Sequence, residues 1–383
     1  MIYTKGITVK LSPSIVQMAQ LNEWFGCQRF VWNQFLNMLR ERYKNNKELP
    51  FPSKYDLILL LPTLKREFEF LKDAEASSLQ AVAEYLYQSY IRFFKRQAKY
   101  PRFKSLRHTK KSVTIKNNRN IELTKSGLKV PKLGWIKAKW SHNLEFNRIK
   151  RMTIFQDATG DYFASVLVEC ESQALPRTGK EIGLDFGQTD LVIGSDNALR
   201  IPSREYKYYE KKLHKWQRKS ARRRRQAIQN QTPLVESKNY QKAKQQVAKY
   251  HRKIKNCRQD YLHKISKYLV ENYDFIALED LRVRNMVQNP NNKTCLKSNN
   301  RKRHNQAWSM LRELIEYKGE WYDKTVVPVL PHYTSQDCAC CGYRNKDLTL
   351  SDRVWTCPKC HQILDRDVNA AQNILVKAKA LSQ

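Results

Sequence analysis

The segment from Cys338 to Ile374 reads CACCGYRNKDLTLSDRVWTCPKCHQILDRDVNAAQNI, and it predicts a metal centre followed at once by an acidic helix start. Two residues separate Cys338 from Cys341 and Cys357 from Cys360, and fifteen residues separate the two pairs. In a zinc ribbon, four thiolates with this spacing close a tetrahedron around the ion and leave no open position. The segment therefore predicts a structural zinc site. Cys340 is excluded as a ligand because only Cys341 leaves a two-residue gap after Cys338.

Carboxylates follow this metal centre, and others end two predicted strands far upstream. Asp185 and Glu279 each end an apolar run, and Asp367 opens the last predicted helix. Strand ends in an open α/β sheet expose functional side chains. Three carboxylates there can hold two Mg²⁺ ions, which would activate a water and stabilise the leaving oxygen in phosphodiester hydrolysis. The pattern leaves Asp280 open as an alternative to Glu279, and Asp365 as an alternative to Asp367. Asp185 alone fits a turn residue, and Asp367 alone fits a helix cap.

The composition indicates a folded, nucleic-acid-binding protein. The 383 residues contain 71 Lys and Arg against 36 Asp and Glu, a formal net charge of +35 that calls for a polyanionic partner. The hydrophobic content of 41% is that of a chain with a core. Neither a signal peptide nor a membrane-spanning apolar run is recognised, and the nine cysteines are not arranged as a disulfide framework. We therefore expect a cytoplasmic protein in a reducing environment, with no membrane partner.

Hydrophobic periodicity divides the chain into two regions of different character. Residues Met1–Ala174 are predicted to be a mostly β module with a helical insertion after its first strand. The chain changes character near Pro176, and α/β patterns follow. Strands are predicted at Gly6–Leu11, Leu128–Val130, Trp135–Lys137, Phe163–Val168, Glu181–Gly187, Asp190–Asn197, Asp274–Leu281 and Val326–Val329. Helices are predicted over Leu21–Leu39, Leu79–Phe94, Tyr206–Leu269 (with a break near Gln229–Pro233) and Trp308–Trp321.

Two basic segments are candidates for nucleic-acid contact. Arg102 and Lys104 flank Phe103, an arrangement that suits phosphate contact with base stacking. Arg222 and Arg223 belong to a run of cations in the long predicted helix. Because the excess there is nearly all of one sign, we favour contact with a nucleic-acid backbone over a merely solvated face.

Many ordered motifs together resemble the TnpB family, proteins encoded by insertion sequences and related to the nucleases of type V CRISPR systems. The resemblance covers essentially the whole chain. It rests on Arg29–Asn33, Tyr100–Lys104, Leu128–Trp135, Gly183–Gly187, His251–Ile254, Asp260–Lys264, Ile276–Leu281, Thr334–Gln336, the four cysteines and Asp365–Ala371.

The resemblance implies an α/β plus β-barrel fold. A RuvC-like (RNase H-type) nuclease domain with an inserted zinc ribbon would follow a wedge β-barrel that holds a helical recognition insertion. The expected wedge barrel comprises residues 1–15 and 106–176, with the recognition domain at 16–105. The nuclease domain is expected at 177–330 and 364–383, with the zinc ribbon at 331–363.

The resemblance also implies an activity, an RNA-guided DNA endonuclease. Its catalytic acids would be Asp185, Glu279 and Asp367, which resolves both open choices, with Mg²⁺ as catalytic and Zn²⁺ as structural metal. A guide RNA from the transposon end would pair with DNA beside a short flanking motif, so double-stranded and single-stranded DNA are expected partners, with one protein chain per RNA. By position in the family pattern, Gln80, Asn117 and Asn118 are expected to read that motif.

Two other functions use the same features. A transposase that catalyses strand transfer, or a transposition-accessory DNA-binding protein, is one alternative, because the same acids suit strand transfer. A non-cleaving RNA-guided DNA-binding regulator is the other, and the intact set of three acids argues against it.

Overall fold

The computed structural model describes residues 2–116, 120–140, 145–172, 174–187, 189–281, 307–349 and 351–382. The chain divides into two compact units, Met1–Glu171 and Ser172–Gln383. Asn117 and Asn118, two of the residues expected to read DNA, lie outside the described ranges.

The first unit contains a seven-stranded antiparallel sheet with β1 at its centre, in the order β2-β6-β7-β1-β5-β4-β3. Its strands are β1 (Ile2–Ser12), β2 (Ser112–Lys116), β3 (Glu122–Leu123), β4 (Gly127–Val130), β5 (Gly134–Lys139), β6 (Arg148–Gln156) and β7 (Tyr162–Glu171). Buried and partly exposed side chains alternate along β7, as expected for a strand with one face in a core. The four strands predicted for this region are confirmed.

Helices are inserted between β1 and β2, as predicted. They are α1 (Ile15–Asn45), α2 (Lys54–Leu59), α3 (Leu61–Glu67) and α4 (Ala76–Phe94), with one 3₁₀ turn at Glu69–Lys72. Helix α1 begins with a capping box, in which the Ser14 hydroxyl accepts from the Gln17 N–H and the Gln17 side chain accepts from the Ser14 N–H. Its aromatic residues Trp24 and Phe35 are fully buried, so these rings serve the core, as the periodicity indicates.

The second unit is built on a five-stranded mixed sheet in the order β10-β9-β8-β11-β12. The strands are β8 (Glu181–Asp185), β9 (Asp190–Gly194), β10 (Arg200–Pro202), β11 (Phe275–Glu279) and β12 (Thr325–Val329). Strand β11 runs parallel to both β8 and β12, whereas β9 is antiparallel to β8. The predicted α/β character of this part of the chain is confirmed.

Helices cover both faces of this sheet. The helices described for this unit are α5 (Lys207–Gln229), α6 (Lys238–Asn272), α7 (Trp308–Tyr322) and α8 (Arg366–Ser382), of which α6, α7 and α8 pack against the sheet. On β11, Ile276 and Leu278 pack with apolar residues of α6 and α7, whereas Ala277 packs with Ile374 and Ala378 of α8. Because successive side chains of a strand point to opposite faces, the sheet lies between α8 and the α6–α7 pair.

Helices α5 and α6 form a hairpin, and the predicted break between them is confirmed at residues 230–237. Leu213 of α5 packs with Ile254 of α6, while most of the cations of α5 are exposed. Within the described residues, no helix is both long and apolar enough to span a membrane.

A small cysteine-containing module separates β12 from α8. It contains a two-stranded antiparallel ribbon of β13 (Val354–Thr356) and β14 (Ile363–Asp365), in which Trp355 pairs with Leu364. Cys338, Trp355 and Cys357 form its buried centre. Strand β14 runs directly into α8, so the module and the last helix share one stretch of backbone.

Candidate active site and metal centre

Three acidic residues meet at one edge of the mixed sheet. Strands β8 and β11 are parallel, with Leu184 opposite Leu278, so the acids that follow, Asp185 and Glu279, end neighbouring strands at the same edge. Asp367 lies in the first turn of α8, which packs against both strands. The fold thus brings together the three carboxylates that the family pattern selects.

Glu279 is buried, with 6% of its surface exposed. Its Oε1 accepts a hydrogen bond of 3.3 Å from the Thr334 hydroxyl. Burial raises the pKa of Glu279 to about 7, against the opposing effects of the Thr334 hydrogen bond and the charge of Lys377. A nearby cation would stabilise the ionised form of such a buried carboxyl strongly.

Asp185 has the same electrostatic character. Burial, followed by the charges of Glu279 and Asp367, raises its pKa well above the ordinary value, and Arg366 opposes the shift. The charges of both neighbours therefore reach Asp185. Two buried carboxyls beside a third fit Mg²⁺, which prefers carboxylate oxygens. Among the described residues, the four cysteines are the one group of three or more metal-binding side chains whose ligand atoms all lie within 4.8 Å of one another. The three carboxylates therefore lie farther apart than the cysteine sulfurs.

The geometry gives Asp365 and Asp367 different partners. Oδ1 of Asp365 accepts from the N–H groups of Asp367 and Val368, at 3.0 and 3.1 Å, so Asp365 caps α8. Its Oδ2 receives the Arg200 guanidinium at 2.8 Å. Although burial opposes the change, the Val368 N–H and Arg200 hold the pKa of Asp365 below its ordinary value. Oδ2 of Asp367 instead accepts from Arg353 of the cysteine module at 3.1 Å.

The pair Glu279 and Asp280 is separated in the same way. Glu279 lies in the buried site beside Thr334, whereas Asp280 forms an ion pair with Arg312 of α7. Asp280 thus has a structural partner of its own.

Gly183 allows β8 and α8 to approach closely. A Cβ at this position would lie 2.0 Å from the Ala371 carbonyl oxygen and 2.9 Å from Leu375. Contacts this short to backbone cannot be relieved by a rotamer change, so any larger residue would push α8 away from β8. Because Asp185 follows on that strand and Asp367 lies on that helix, Gly183 sets the separation between two of the acids.

The four predicted cysteines converge on one point. Their sulfurs all lie within 4.8 Å of one another, with Cys338 Sγ 3.7 Å from Cys360 Sγ and Cys341 Sγ 3.6 Å from Cys357 Sγ. A tetrahedral zinc with Zn–S bonds of about 2.3 Å requires sulfur–sulfur distances of about 3.8 Å. The cluster fits zinc, and Cys340 is exposed outside it, as predicted.

Each cysteine pair forms the same backbone turn. The Gly342 N–H donates to the Cys338 carbonyl, and the His361 N–H donates to the Cys357 carbonyl, both at 2.9 Å. Gly342 and His361 have φ of +73° and +57°, the left-handed region that favours glycine. The second turn therefore places a histidine where the first has a glycine.

Several residues that hold this site together were not predicted from the sequence. Arg200 pairs with Asp365 at the end of β14, and Arg353 pairs with Asp367 of α8. Thr334, Asn369 and Asn373 join the cysteine module to the sheet and helix. The two asparagines gave a signal, because they lie four residues apart on an otherwise apolar helix face. Nothing in the sequence pattern marks the two arginines, because their partners are set by tertiary contacts.

The candidate nucleic-acid residues of the first unit have different surroundings. Arg102 is exposed, whereas the Lys104 ammonium lies 3.7 Å from the centre of the Trp32 ring. Burial lowers the pKa of Lys104 to about 8. Gln80 is half-buried on α4, between Ser77 and Glu84, and both of these residues contact Lys116 beside the undescribed Asn117.

Helix α5 carries a basic groove of about 770 Å³ in the second unit. It is lined by Lys211, His214, Lys215, Arg218, Lys219 and Arg222. Arg223 is turned toward the hairpin instead, and its guanidinium donates to the Asn239 carbonyl of α6 at 2.8 Å. Of the two predicted arginines, Arg222 is therefore the one that faces the groove.

Known proteins match this chain over most of its length. Three family models match: a helix-turn-helix domain (residues 1–48), a "Probable transposase" model (165–290) and a Cas12f1-like TNB domain (308–374). The "Putative RNA-guided DNA endonuclease InsQ" of Escherichia coli (strain K12) is 31% identical over 97% of this chain and 92% of its own length. A "Putative RNA-guided DNA endonuclease" of Streptomyces pristinaespiralis is 30% identical over 97% of this chain and 88% of its own length.

The fold also has a solved counterpart. A chain in the cryo-EM structure of the Cas12f1-sgRNA-target DNA complex matches with a TM-score of 0.57 and 16% identity, covering 94% of this chain and 82% of that chain. At this identity the match bears on fold alone, but it spans both units. The family itself is shown by the two relatives of 30% and 31% identity, each covering 97% of this chain. The chain belongs to the TnpB family of insertion-sequence proteins.

Proposed function

We propose that this protein is an RNA-guided DNA endonuclease of transposable-element origin. The observation that carries the proposal is the meeting of Asp185, Glu279 and Asp367 at one sheet edge, where burial and then the charges of the other two acids raise the pKa of Asp185. Relatives that match nearly the whole chain are named as RNA-guided DNA endonucleases, which supports the same activity here.

We assign the three acids as the catalytic residues and as the ligands of Mg²⁺. Two bound Mg²⁺ ions would supply activation of a water and stabilisation of the leaving oxygen in phosphodiester hydrolysis. The protein's own part is to hold three carboxylates on rigid elements: Asp185 and Glu279 on paired strands, and Asp367 on a helix that Gly183 allows to pack closely. Arg353 pairs with Asp367 and keeps its carboxylate oriented in the metal-free protein.

We assign the four-cysteine cluster a structural zinc ion. Four thiolates leave no open position for a substrate, and the module runs directly into α8. Zinc at this place would fix the start of the helix that carries Asp367.

The finer fold assignment is also a proposal. We identify the mixed sheet with its flanking helices as a RuvC-like domain (177–330 and 364–383), interrupted by the zinc ribbon (331–363). We identify the seven-stranded sheet as the wedge barrel (1–15 and 106–176), with α1–α4 as the recognition insertion (16–105). The strand orders and the position of the helical insertion support this assignment.

The proposed partners are a guide RNA from the transposon end and the DNA that it pairs with, at one protein chain per RNA in the cytoplasm. The net charge of +35 supports a polyanionic partner, and the basic groove of α5 offers one place for a phosphate backbone. We assign Arg222 and Arg102 to backbone contact. We keep five further residues as candidates for nucleic-acid contact: Lys104, Arg223, Gln80, Asn117 and Asn118.

A direct cleavage assay tests the proposal. Purified protein loaded with its co-purifying RNA should cut DNA that matches the guide in Mg²⁺, and Asp185→Ala should reduce the rate by roughly a thousandfold or more. Asp365→Asn serves as a matched control, because it keeps a capping oxygen at the neighbouring acid and should retain most activity. Cleavage by Asp185→Ala at the wild-type rate would refute the site.

The "Probable transposase" match over residues 165–290 favours one second candidate, a transposase that transfers DNA strands itself. Sequencing the co-purified RNA separates the two. RNA from the transposon end supports guided cleavage, whereas strand joining without RNA supports a transposase. Tight, guided DNA binding without cleavage would instead identify a non-cleaving regulator.

A further inference from the structure

Thr334 lies on the segment between β12 and the first cysteine pair and contacts both the active site and the last helix. It is buried, with 4% of its surface exposed. Its hydroxyl donates to Oε1 of Glu279 at 3.3 Å, and its carbonyl accepts from Nδ2 of Asn373 at 2.8 Å. Thr334 therefore links Glu279, on β11, to α8.

Two buried asparagines of α8 hold the rest of this segment. The Asp337 carbonyl accepts from Asn373 Nδ2 at 2.6 Å and from Asn369 Nδ2 at 2.8 Å. Asn369 Oδ1 accepts from the Ala339 N–H at 2.8 Å. Because Cys338 lies between Asp337 and Ala339, these amides fix the first zinc ligand and Thr334 together.

Burying the amide side chains of Asn369 and Asn373 costs free energy, which indicates that their hydrogen bonds to this segment are specific. Asn369 is 1% and Asn373 is 9% exposed, and buried amides are destabilising unless their hydrogen bonds are made. Both side chains bind backbone of one short segment, so that segment has little freedom to shift on α8.

We propose that Thr334 is a positioning residue for Glu279, and that Asn369 and Asn373 keep it in place by binding the segment from Thr334 to Ala339. This inference deepens the proposed function, because it assumes that Glu279 is a ligand of the catalytic metal. It makes the four-cysteine cluster and the acidic site parts of one connected structure. Groups that orient a metal ligand through a hydrogen bond typically contribute ten- to hundredfold to metal affinity.

The test compares Thr334→Val, which keeps the shape and removes the hydroxyl, with Thr334→Ser, which restores it. The probe is Mn²⁺, titrated into RNA-loaded protein without DNA and followed by electron paramagnetic resonance. We expect Thr334→Val to weaken Mn²⁺ binding about tenfold while it retains guide RNA and zinc, and Thr334→Ser to bind nearly as the wild type does. Thr356→Val, the same change at an exposed position of β13, is the control and should alter nothing.

Two results would overturn the positioning role: unchanged Mn²⁺ affinity in Thr334→Val, or equal weakening in Thr334→Ser. The measurement needs no DNA, so it is separate from the proposed activity. A wild-type protein that binds Mn²⁺ but cuts no matched DNA contradicts the endonuclease proposal, while the comparison of the two Thr334 variants still decides this one.

Discussion

Glu279 gives the stability of the metal-free protein a pH dependence. Its pKa is about 7 in the folded protein, above its ordinary value of 4.5, so the folded state retains a proton that the unfolded chain releases between these values. The stability from this group is fully present below pH 4.5 and is lost as the pH rises through 7. At pH 8 the buried, ionised carboxylate costs about 3 kcal/mol.

Glu279→Gln should therefore stabilise the metal-free protein at pH 8, by up to about 3 kcal/mol, and much less at pH 5. Urea unfolding at the two pH values, without divalent cations, measures the difference. An equal gain at both values would show that Glu279 does not titrate in this range.

Gly183 is a second residue whose substitution has a clear expected outcome. Gly183→Ala places a methyl group against the Ala371 carbonyl, and overpacking of this kind costs about 1–3 kcal/mol. Cleavage should fall further than stability alone explains, since α8 carries Asp367. Gly26→Ala in α1 is the matched control. Apart from its chain neighbours and the backbone of its own helix turns, no atom lies within 4 Å of the added Cβ, and the change should stabilise by about 0.5–1 kcal/mol. Gly183→Ala with wild-type stability and cleavage would contradict the close approach.

At the residue scale, the sequence identifies candidate catalytic acids and nucleic-acid contacts but does not choose among them. Asp185 is recognisable because it ends an apolar run with the pattern of a strand, whereas Glu279 and Asp280 both follow such a run and its pattern does not separate them. The local sequence gives Asp365 and Asp367 equal weight as the third acid. In the structure they differ because Asp365 is bound by Arg200, which lies on a distant strand. Lys104 illustrates the same limit, because its contact with Trp32 is invisible in a local pattern of cations.

At the level of elements, the two cysteine turns make a testable pair. His361 has a left-handed φ of +57°, which costs a histidine about 1 kcal/mol or more, whereas Gly342 adopts +73° without strain. We expect His361→Gly to tighten zinc binding and Gly342→Ala to weaken it, each by a few-fold. Competition with a zinc chelator, monitored by a colorimetric dye, measures both. The same direction of change in both variants would contradict this interpretation.

The elements themselves were largely predictable. Strands β8, β11 and β12 are short apolar runs, and α6 has a clean three- and four-residue spacing of apolar side chains, so local pattern and final structure agree. The order of the strands in the mixed sheet was not predictable in this way. It depends on which helices cover which face, and Ala277 is small because α8 packs there.

For the whole molecule, the charge of +35 predicts strongly salt-dependent binding of RNA. Arg222 lines the groove of α5, so Arg222→Ala should weaken binding and reduce the slope of log affinity against log salt by about 1. Arg223→Ala is the matched neighbour. Because that guanidinium binds the Asn239 carbonyl, its loss should change the slope less and loosen the α5–α6 hairpin instead. Filter binding at several salt concentrations measures both slopes, and identical slopes for the two variants would exclude the groove as a phosphate contact.

The packing of α8 on β8 has a consequence for the order of events during translation. Asp185 leaves the ribosome well before Asp367, and at 5–20 residues per second the interval between them is roughly 10–40 s. During that interval β8 and β11 can pair, but the site has two of its three acids and β8 lacks its covering helix. On the proposed assignment of Asp367 as a catalytic acid, a nascent chain can gather RNA on its basic surfaces before it is able to cut DNA. Cleavage would then begin only after the last helix has been made and has packed on β8.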